Sequence, residues 1–301
     1  MKSLNQYIKE KLIINQRFDE KLIINKDYHD NMIVVNSFDE LRNIIEDRND
    51  KLGDGTEQNP IDFNDIDVSN LDSFCSNNTG IFDDTFFKYI DISDWDVSNV
   101  TNMSKMFFSC ELLKSVGDLS NWDVSNVTDM SFMFCNCYHL NQDLSNWDVS
   151  SVTNMVRMFY CCESFNQNIS NWDVSSVTNM SYMFYGCESF NQDLNSWNVS
   201  NVTDVEGMEG MFWGCNSFNK DISNWNVSKV TNMSYMFTSC TKFNQDISDW
   251  DVSSVIKMTR MFYGCRSFNK DISKWKVSKV RYIKEAFDNC PIKNEYKPKF
   301  K

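Results

Sequence analysis

Proline, glycine, alanine and histidine are all scarce in this 301-residue chain, and each shortage excludes a class of protein. Three prolines and nine glycines exclude collagen-like and proline-rich chains. The single alanine, Ala286, argues against a long helical bundle, because alanine is the strongest helix former. Two histidines leave little for general-base catalysis, and no phosphate-cradling glycine loop, G-x-S-x-G or H-E-x-x-H motif occurs. The sequence therefore predicts a protein that is not an enzyme and has no cofactor.

Long hydrophobic runs are also missing. The apolar runs near the start, Leu12–Ile14 and Leu22–Ile24, fall far short of the ~18 residues that a membrane span requires. No signal peptide or lipid-anchor cysteine is recognisable. We therefore expect no membrane span, and a cytoplasmic or virion-associated location rather than a secreted one.

Positive charge is in deficit, with 29 Lys and Arg against 42 Asp and Glu, a formal net charge of −13. This argues against a general nucleic-acid-binding protein, which needs a basic face. The charge is also uneven: residues 270–301 carry ten basic and four acidic residues, or +6, so the remainder carries −19. We expect a molecule that is electrically polar along its length.

Tryptophan reveals an internal repeat. Eight of the nine tryptophans are spaced by 27, 25, 25, 25, 28, 25 and 25 residues, and a similar amino-acid sequence follows each of them. They are Trp95, Trp122, Trp147, Trp172, Trp197, Trp225, Trp250 and Trp275. The ninth, Trp213, is off register, and we expect it to be partly exposed. A 25-residue period sustained this long predicts a repeat architecture.

Each repeat reads as two halves. Ile222–Val227 alternates apolar and polar residues and predicts a strand. Val230, Met233, Met236 and Phe237 are spaced by three or four residues and predict a short helical turn. A strand and a turn within 25 residues form one coil of an α/β solenoid, whose coils are stable only when stacked.

The unit W-x-V-S-x-V-T-x-M-x-x-M-F-x-x-C-x-x-F-N-x-D-I-S resembles the repeat of BspA-family leucine-rich-repeat surface proteins. The resemblance covers roughly residues 62–290. It implies a leucine-rich-repeat-like solenoid with a parallel sheet on the concave face and short helical turns opposite. It also implies a role in adhesion or protein recognition.

Three columns of identical residues are predicted to be structural. Eight of the 11 cysteines share one repeat position, which indicates a column of small buried thiols. The Asn column from Asn141 to Asn269 is expected to satisfy backbone groups at a tight corner of each coil. The Ser column from Ser98 to Ser278 is expected to bond the turn that follows each strand. Zinc is disfavoured, because Cys135-x-Cys137 and Cys161-Cys162 lack the usual ligand spacing.

The outward positions of the predicted strand are the candidate binding site. They are Asp96, Asp123, Asp148, Asp173, Asn198, Asn226, Asp251, Lys274 and Lys276. Stacked carboxylates repel one another, and a cationic ligand would offset that repulsion. Three interpretations stay open: a basic or polar protein partner, a metal ion, or a merely solubilising surface.

The ends and the irregularities complete the organisation. Residues 1–36 form an extension with three related segments, Lys11–Asn15, Lys21–Asn25 and Met32–Asn36, read as short strands or adhesive segments of a tail. Residues 37–61 hold a capping helix and a linker, 62–290 form about eight to nine coils, and 291–301 are a basic tail. Insertions near Leu112–Gly117 and within Val205–Met211 are either loops on a binding side or neutral bulges.

The function predicted from these features is a monomeric, non-enzymatic scaffold that recognises a protein partner. The alternative is a structural spacer of a virion or cell envelope whose ends carry the function.

Overall fold

The computed structural model describes residues 32–203 and 205–300, and the regular elements within them are short. They are strands β1 (Ile33–Val34), β2 (Ile61–Asp62), β3 (Ile66–Asp67), β4 (Cys75–Ser76), β5 (Thr79–Gly80) and β6 (Ile90–Asp91), helix α1 (Phe38–Leu52) and a 3-10 turn at Asn294–Tyr296. β1 pairs in parallel with β3, β2 pairs in parallel with β6, and β4 pairs with β5 in antiparallel orientation. The protein is therefore a repeat protein with small pieces of sheet and little helix.

Helix α1 lies within residues 37–61, for which the sequence predicts a capping helix and a linker. The Ser37 hydroxyl accepts a bond from the backbone N–H of Glu40 at 3.3 Å, and the Glu40 carboxylate accepts one from the backbone N–H of Asn36 at 2.7 Å. This reciprocal capping box starts the helix. Leu41 and Ile45 are fully buried in the same apolar core as the repeats.

The extension before α1 is only partly described. Lys11–Asn15 and Lys21–Asn25 lie outside the described residues. The third related segment, Met32–Asn36, contains β1 and pairs Ile33 with Ile66 of the first, weaker repeat.

Equivalent residues of successive repeats lie directly beside one another. Each of the eight in-register tryptophans is 3–5 % exposed, and its indole N–H donates to a backbone carbonyl of the preceding repeat at 2.8–3.3 Å. The Trp122 and Trp147 rings stack with centroids 6.2 Å apart and planes 3° from parallel. One tryptophan therefore fills the core and satisfies a buried acceptor at the same time.

The methionine-rich half of the repeat carries the backbone bonds between repeats. The N–H groups of Met103 and Lys105 donate to the carbonyls of Asp129 and Ser131 in the next repeat, both at 2.9 Å. Between them, the N–H of Met106 turns inward and bonds the Met103 carbonyl at 3.3 Å. Some N–H groups thus bond the next repeat, and those between them close a tight turn of their own repeat.

This alternation corrects the predicted helical turn. Val230, Met233, Met236 and Phe237 lie in successive β-turns, not in a helix. Successive turns with i to i+3 bonds bring every third or fourth side chain to the core, as a helix does. The spacing of the apolar residues therefore does not distinguish the two structures.

The predicted strand is also placed differently. Ile222–Val227 forms a turn closed by the bond from the Trp225 N–H to the Ile222 carbonyl at 3.2 Å. Side-chain acceptors on either side, Asp221 and Asn226, bind the N–H groups of the serines two residues later and offer the backbone a local alternative to a sheet. Parallel pairing between consecutive repeats instead occurs at single residues farther along, such as Asn232 with Lys257.

Two residues of every repeat adopt the left-handed conformation. The first site has φ between 52° and 60° and is occupied by Lys105, Phe132, Arg157, Tyr182, Gly210, Tyr235, Arg260 and Glu285. The second has φ between 55° and 78° and is occupied by Ser109, Asn136, Cys161, Gly186, Gly214, Ser239, Gly264 and Asn289. A non-glycine residue costs roughly 1–2 kcal/mol in this conformation. The bonds between repeats must offset that cost.

We expect Trp172→Ala to reduce the free energy of unfolding by roughly 3–5 kcal/mol, because it opens a core cavity and leaves the Leu144 carbonyl without its donor. Trp213 is half-buried, as expected for its off-register position, so Trp213→Ala should cost less. Denaturant midpoints of the two variants measure the difference. Equal losses would contradict this assignment of core and surface.

The second left-handed site yields an independent prediction. Gly264 has φ of 72°, and an added Cβ would lie 3.4 Å from the Ser239 hydroxyl, an ordinary contact. The cost of Gly264→Ala is therefore one of backbone conformation, roughly 1–2 kcal/mol in the free energy of unfolding. Gly264→Asn is the matched control and should cost less, because Asn136 and Asn289 occupy the same site in other repeats. Equal thermal midpoints for the Ala and Asn variants would contradict this account.

Candidate functional site

All nine predicted binding residues are exposed. They are Asp96, Asp123, Asp148, Asp173, Asn198, Asn226, Asp251, Lys274 and Lys276. We call the seven acidic and amide members the aspartate row. Since the row lies on turns rather than on a strand, its members are placed by local side-chain bonds.

Those bonds supply a structural reason for the aspartates. Oδ1 of Asp123 accepts hydrogen bonds from the N–H of Ser125 at 3.1 Å and from its hydroxyl at 2.6 Å. Each of the seven members makes the same backbone bond to the serine two residues later, at 3.0–3.2 Å. Asn198 and Asn226 make it with an amide oxygen. The row therefore needs a side-chain oxygen for its turns, and a ligand is not required to explain the carboxylates.

These bonds also lower the pKa values of three aspartates. Hydrogen bonds from Ser125, Ser175 and Ser253 hold the pKa values of Asp123, Asp173 and Asp251 below the usual range, because they stabilise the charged carboxylate.

The cysteine column is a bonded part of the core. All eleven cysteines are free thiols, and seven of the column donate to a phenylalanine carbonyl of the preceding repeat at 2.7–3.1 Å, Cys187 to Phe159 among them. Burial raises the pKa of Cys110 to about 12 and that of Cys187 well above its usual value. Thiols held in this way are poor nucleophiles.

The asparagine column behaves as predicted. The side-chain oxygen of Asn166 accepts a bond from the backbone N–H of Asn191 at 2.9 Å. The same bond joins each member from Asn141 to Asn269 to the next repeat, at 2.9–3.1 Å. The column satisfies backbone donors at a corner of every repeat.

Neither metal ligation nor a membrane span is supported within residues 32–203 and 205–300. No group of three or more His, Cys, Asp or Glu side chains there is arranged to hold a metal ion. In the same part of the chain, no helix is both long and apolar enough to cross a bilayer.

The insertion near Leu112–Gly117 lies beside an open depression. Its lining includes Phe86 and Leu112, which are both exposed, together with Asp84 and Glu111. The depression has a volume of about 460 Å³.

A second surface, which sequence reasoning missed, runs across the repeats on the turns of the methionine-rich half. We call it the aromatic ridge, and all its members are half-buried. They are Lys105, Phe108, Phe132, Arg157, Tyr160, Tyr182, Tyr185, Trp213, Tyr235, Arg260 and Tyr263. Each of the eleven occupies the first left-handed site of a repeat or the position three residues after it.

Cations and rings alternate along the first part of the ridge. The Lys105 ammonium lies 5.2 Å from the Phe108 centroid and 5.5 Å from the Phe132 centroid. The Arg157 guanidinium lies 5.3 Å from Phe132 and 5.1 Å from Tyr182. These cation–π contacts order long side chains that would otherwise be mobile.

The central part of the ridge is a stack of rings. Tyr160 and Tyr185 are nearly parallel with centroids 4.3 Å apart, and Trp213 stacks on Tyr235 at 4.9 Å. Tyr185 meets Trp213 edge to face at 5.1 Å. The off-register tryptophan is therefore a member of this surface column.

Gly210 makes room for one ridge residue. A Cβ at this position would lie 2.5 Å from Cδ1 and Cε1 of Tyr182. The Tyr182 hydroxyl donates to Glu209 at 2.6 Å. The pKa of Tyr182 is raised, chiefly by burial and secondly by this bond. Gly210 thus supplies the gap, and Glu209 the acceptor, that fix Tyr182.

One signal for the ridge was present in the sequence. Ten and thirteen residues after the register tryptophans, aromatic and basic residues predominate, whereas most of the intervening positions are methionine and phenylalanine. Periodicity alone assigns these residues to the surface without indicating that they contact one another.

The comparisons place the repeats in a family. The model of a family described as "Mycoplasma protein of unknown function, DUF285" matches residues 56–147, 108–208 and 201–299. The three overlapping matches agree with a tandem repeat. No curated protein and no solved structure matches the chain.

The aspartate row predicts a specific acid response. Asp123, Asp173 and Asp251 have pKa values lowered by folding, so their contribution to stability is present above the unfolded pKa, ~3.9, and is lost as pH falls through the folded pKa. Replacing all three by Asn keeps the acceptor and removes the titration. The triple variant should therefore lose less stability below about pH 4 than the unmodified chain.

The matched control replaces the same three residues by Ala, which removes the acceptor and should lower the thermal midpoint at every pH. Thermal midpoints measured across the acidic range test the prediction. An identical acid-side slope for the Asn variant and the unmodified chain would show that these bonds do not couple to folding.

Proposed function

We propose that this chain, which belongs to the DUF285 family, is a non-enzymatic scaffold that recognises a protein partner through its aromatic ridge. The observation that carries the proposal is the composition of that surface. Tyrosine, tryptophan and arginine are the residues that dominate binding energy at protein interfaces. Here they form one half-exposed column across successive repeats, ordered before any partner arrives.

The stacking of the repeats supports a solenoid as the underlying form. Among the residues that the structure describes, the backbone bonds between repeats join neighbouring repeats, with donors and acceptors about 25 residues apart. In such an array each repeat is stabilised mainly by its neighbours, and one surface position recurs along the whole length. A leucine-rich-repeat-like recognition role, as the resemblance implies, is compatible with this arrangement.

Preorganisation strengthens the case for the ridge over the aspartate row. The Tyr160–Tyr185 stack and the Arg157 contacts immobilise side chains, so less conformational entropy is lost on binding. The aspartate row has a structural reason for its residues. We propose for it a secondary role, steering a basic or polar partner toward the scaffold.

The test is affinity capture with three forms of the full chain. One is unmodified, one carries Tyr185→Ser and Tyr235→Ser, and one carries Asp123→Asn and Asp148→Asn. The ridge variant should lose the retained partner or bind it at least about tenfold more weakly. The row variant should keep the partner but associate more slowly, with a flatter salt dependence. Unfolding curves show which variants remain folded.

Two outcomes would contradict the proposal. If neither pair of substitutions changes what is retained, the surface of the repeats is not the binding site. If only removal of residues 1–36 abolishes retention, the chain is the structural spacer that the sequence offered as the alternative.

A further inference from the structure

The two ends of the repeat stack differ in how their backbone groups are satisfied. Within the stack, alternate N–H groups of one repeat donate to carbonyls of the next. The first repeat therefore has carbonyls that no preceding repeat bonds, and the last repeat has N–H groups that no following repeat accepts. At the first repeat, the Arg42 guanidinium on α1 donates to the carbonyls of Gly80, Ile81 and Asp83 at 3.0, 3.0 and 2.9 Å. The spare carbonyls of Ile81 and Asp83 are therefore capped.

Within the described part of the chain, no side chain caps the last repeat in the same way. In the repeat before it, Met258, Arg260, Phe262 and Gly264 donate to the carbonyls of Tyr282, Lys284, Ala286 and Asp288 at 2.7–2.9 Å. The equivalent donors of the last repeat belong to Ile283, Glu285, Phe287 and Asn289. Among residues 32–203 and 205–300, none of these four N–H groups has an acceptor. We call them the open row.

Residues 291–300 touch the side of the open row but accept none of its N–H groups: the Lys297 ammonium lies 5.7 Å from the Phe287 ring centroid, and the Phe300 ring lies 6.4 Å from it. The chain crosses to another part of the coil, where the Tyr296 carbonyl accepts the N–H of Ile272 at 3.0 Å. Between the open row and Lys297, Pro298 and Phe300 lies a cavity of about 260 Å³.

The surroundings of the open row are basic and partly apolar. Arg281 and Lys284 are exposed beside it, and residues 270–301 together carry +6. Two carboxylates, Glu285 and Asp288, also lie there, and Glu285 is paired with Arg260 and, at 3.7 Å, with Lys284. Tyr282 is 57 % exposed and Ile283 is 40 % exposed. A segment that pairs here must supply backbone carbonyls, and acidic side chains suit the charge.

We propose that the open row is a docking edge for an extended acidic segment of a partner protein, which pairs in parallel and adds one further rung to the stack. Addition of a strand to an unpaired edge is an established mode of peptide recognition, in which backbone bonds provide affinity and side chains provide specificity. This site lies at the end of the stack, next to the last arginine of the aromatic ridge, since the Arg260 guanidinium donates to the Glu285 carboxylate at 2.5 Å.

The chain contains an example of such a segment within its own stack. In residues 205–214 the carbonyls of Gly207, Glu209, Met211 and Trp213 accept bonds from the preceding repeat at 2.7–3.0 Å. If the same sequence paired with the open row in the same register, Glu206 would lie beside Arg281 and Glu209 beside Lys284. Opposite charges at directly paired positions stabilise strand pairing.

A second copy of this chain does not fit the open row as well. Two of the carbonyls that its first repeat offers at the equivalent positions, those of Ile81 and Asp83, already bind Arg42. Strand β1, whose Ile33 and Val34 are exposed, stacks on Ile66, which is equivalent to the tryptophan position and not to the open row.

The probe for the test is a capped synthetic peptide with the sequence of residues 205–214, titrated into the full chain. We expect saturable binding. At saturation, amide hydrogen exchange at Ile283, Glu285, Phe287 and Asn289 should slow by about tenfold or more, because only hydrogen-bonded amides are protected. The Tyr282 amide, which already bonds the Ile256 carbonyl at 3.3 Å, is the internal control and should not change.

A charge swap tests the specificity. The peptide with Glu206→Lys and Glu209→Lys should bind at least about tenfold more weakly. The chain with Arg281→Glu and Lys284→Glu, both exposed positions, should reverse that preference. Restored binding of the reversed pair shows that the altered chain is folded.

Three results would overturn the proposal. They are the absence of saturable binding, binding that leaves the four amides unprotected, and protection that appears with chain concentration alone. The last would assign the edge to a second copy. None of the three bears on the aromatic ridge, whose variants are unchanged at this end of the molecule.

Discussion

The backbone bonds between repeats are the constraint on which the rest of this structure depends. Every second N–H of the methionine-rich half points to the next repeat, and the N–H between them closes a turn. Such a chain can be satisfied only by a neighbour with the same spacing. The recurring order of donors and acceptors is therefore a requirement of the hydrogen bonding, whereas the 25-residue period tolerates insertions, because the bond from Met180 to Gly207 forms across a longer repeat.

Three side-chain columns reinforce that constraint in the same way. A tryptophan N–H, a cysteine thiol and an asparagine oxygen each bond the backbone of an adjacent repeat, as Trp172, Cys187 and Asn166 illustrate. Each column satisfies a backbone group that the coil leaves without a partner. Burial of these groups without partners would be costly, so their regular recurrence is explained by structure.

Surface chemistry follows from the same turns. The first left-handed residue of each repeat lies on the turns that carry the aromatic ridge, so aromatic and basic side chains from different repeats meet. On the other turns, an aspartate or asparagine oxygen is needed for the local bond, and the carboxylates of the aspartate row are its consequence. Regularity of the backbone thus produces two ordered rows of very different chemistry.

The sequence by itself determined the period, the core positions, the capping helix from Ser37 and the outward direction of the aspartates, because repetition and burial leave a direct mark on residue type. It misplaced the strand at Ile222–Val227 and the helix near Met233, because spacing by two, three or four residues does not distinguish regular elements from successive turns. Only the tertiary structure showed which N–H groups point to a neighbour, since that depends on left-handed residues such as Tyr182 that carry no glycine signal. It alone brought Tyr160, Tyr185 and Trp213 together, because residues 25 or more positions apart become neighbours only when the repeats stack.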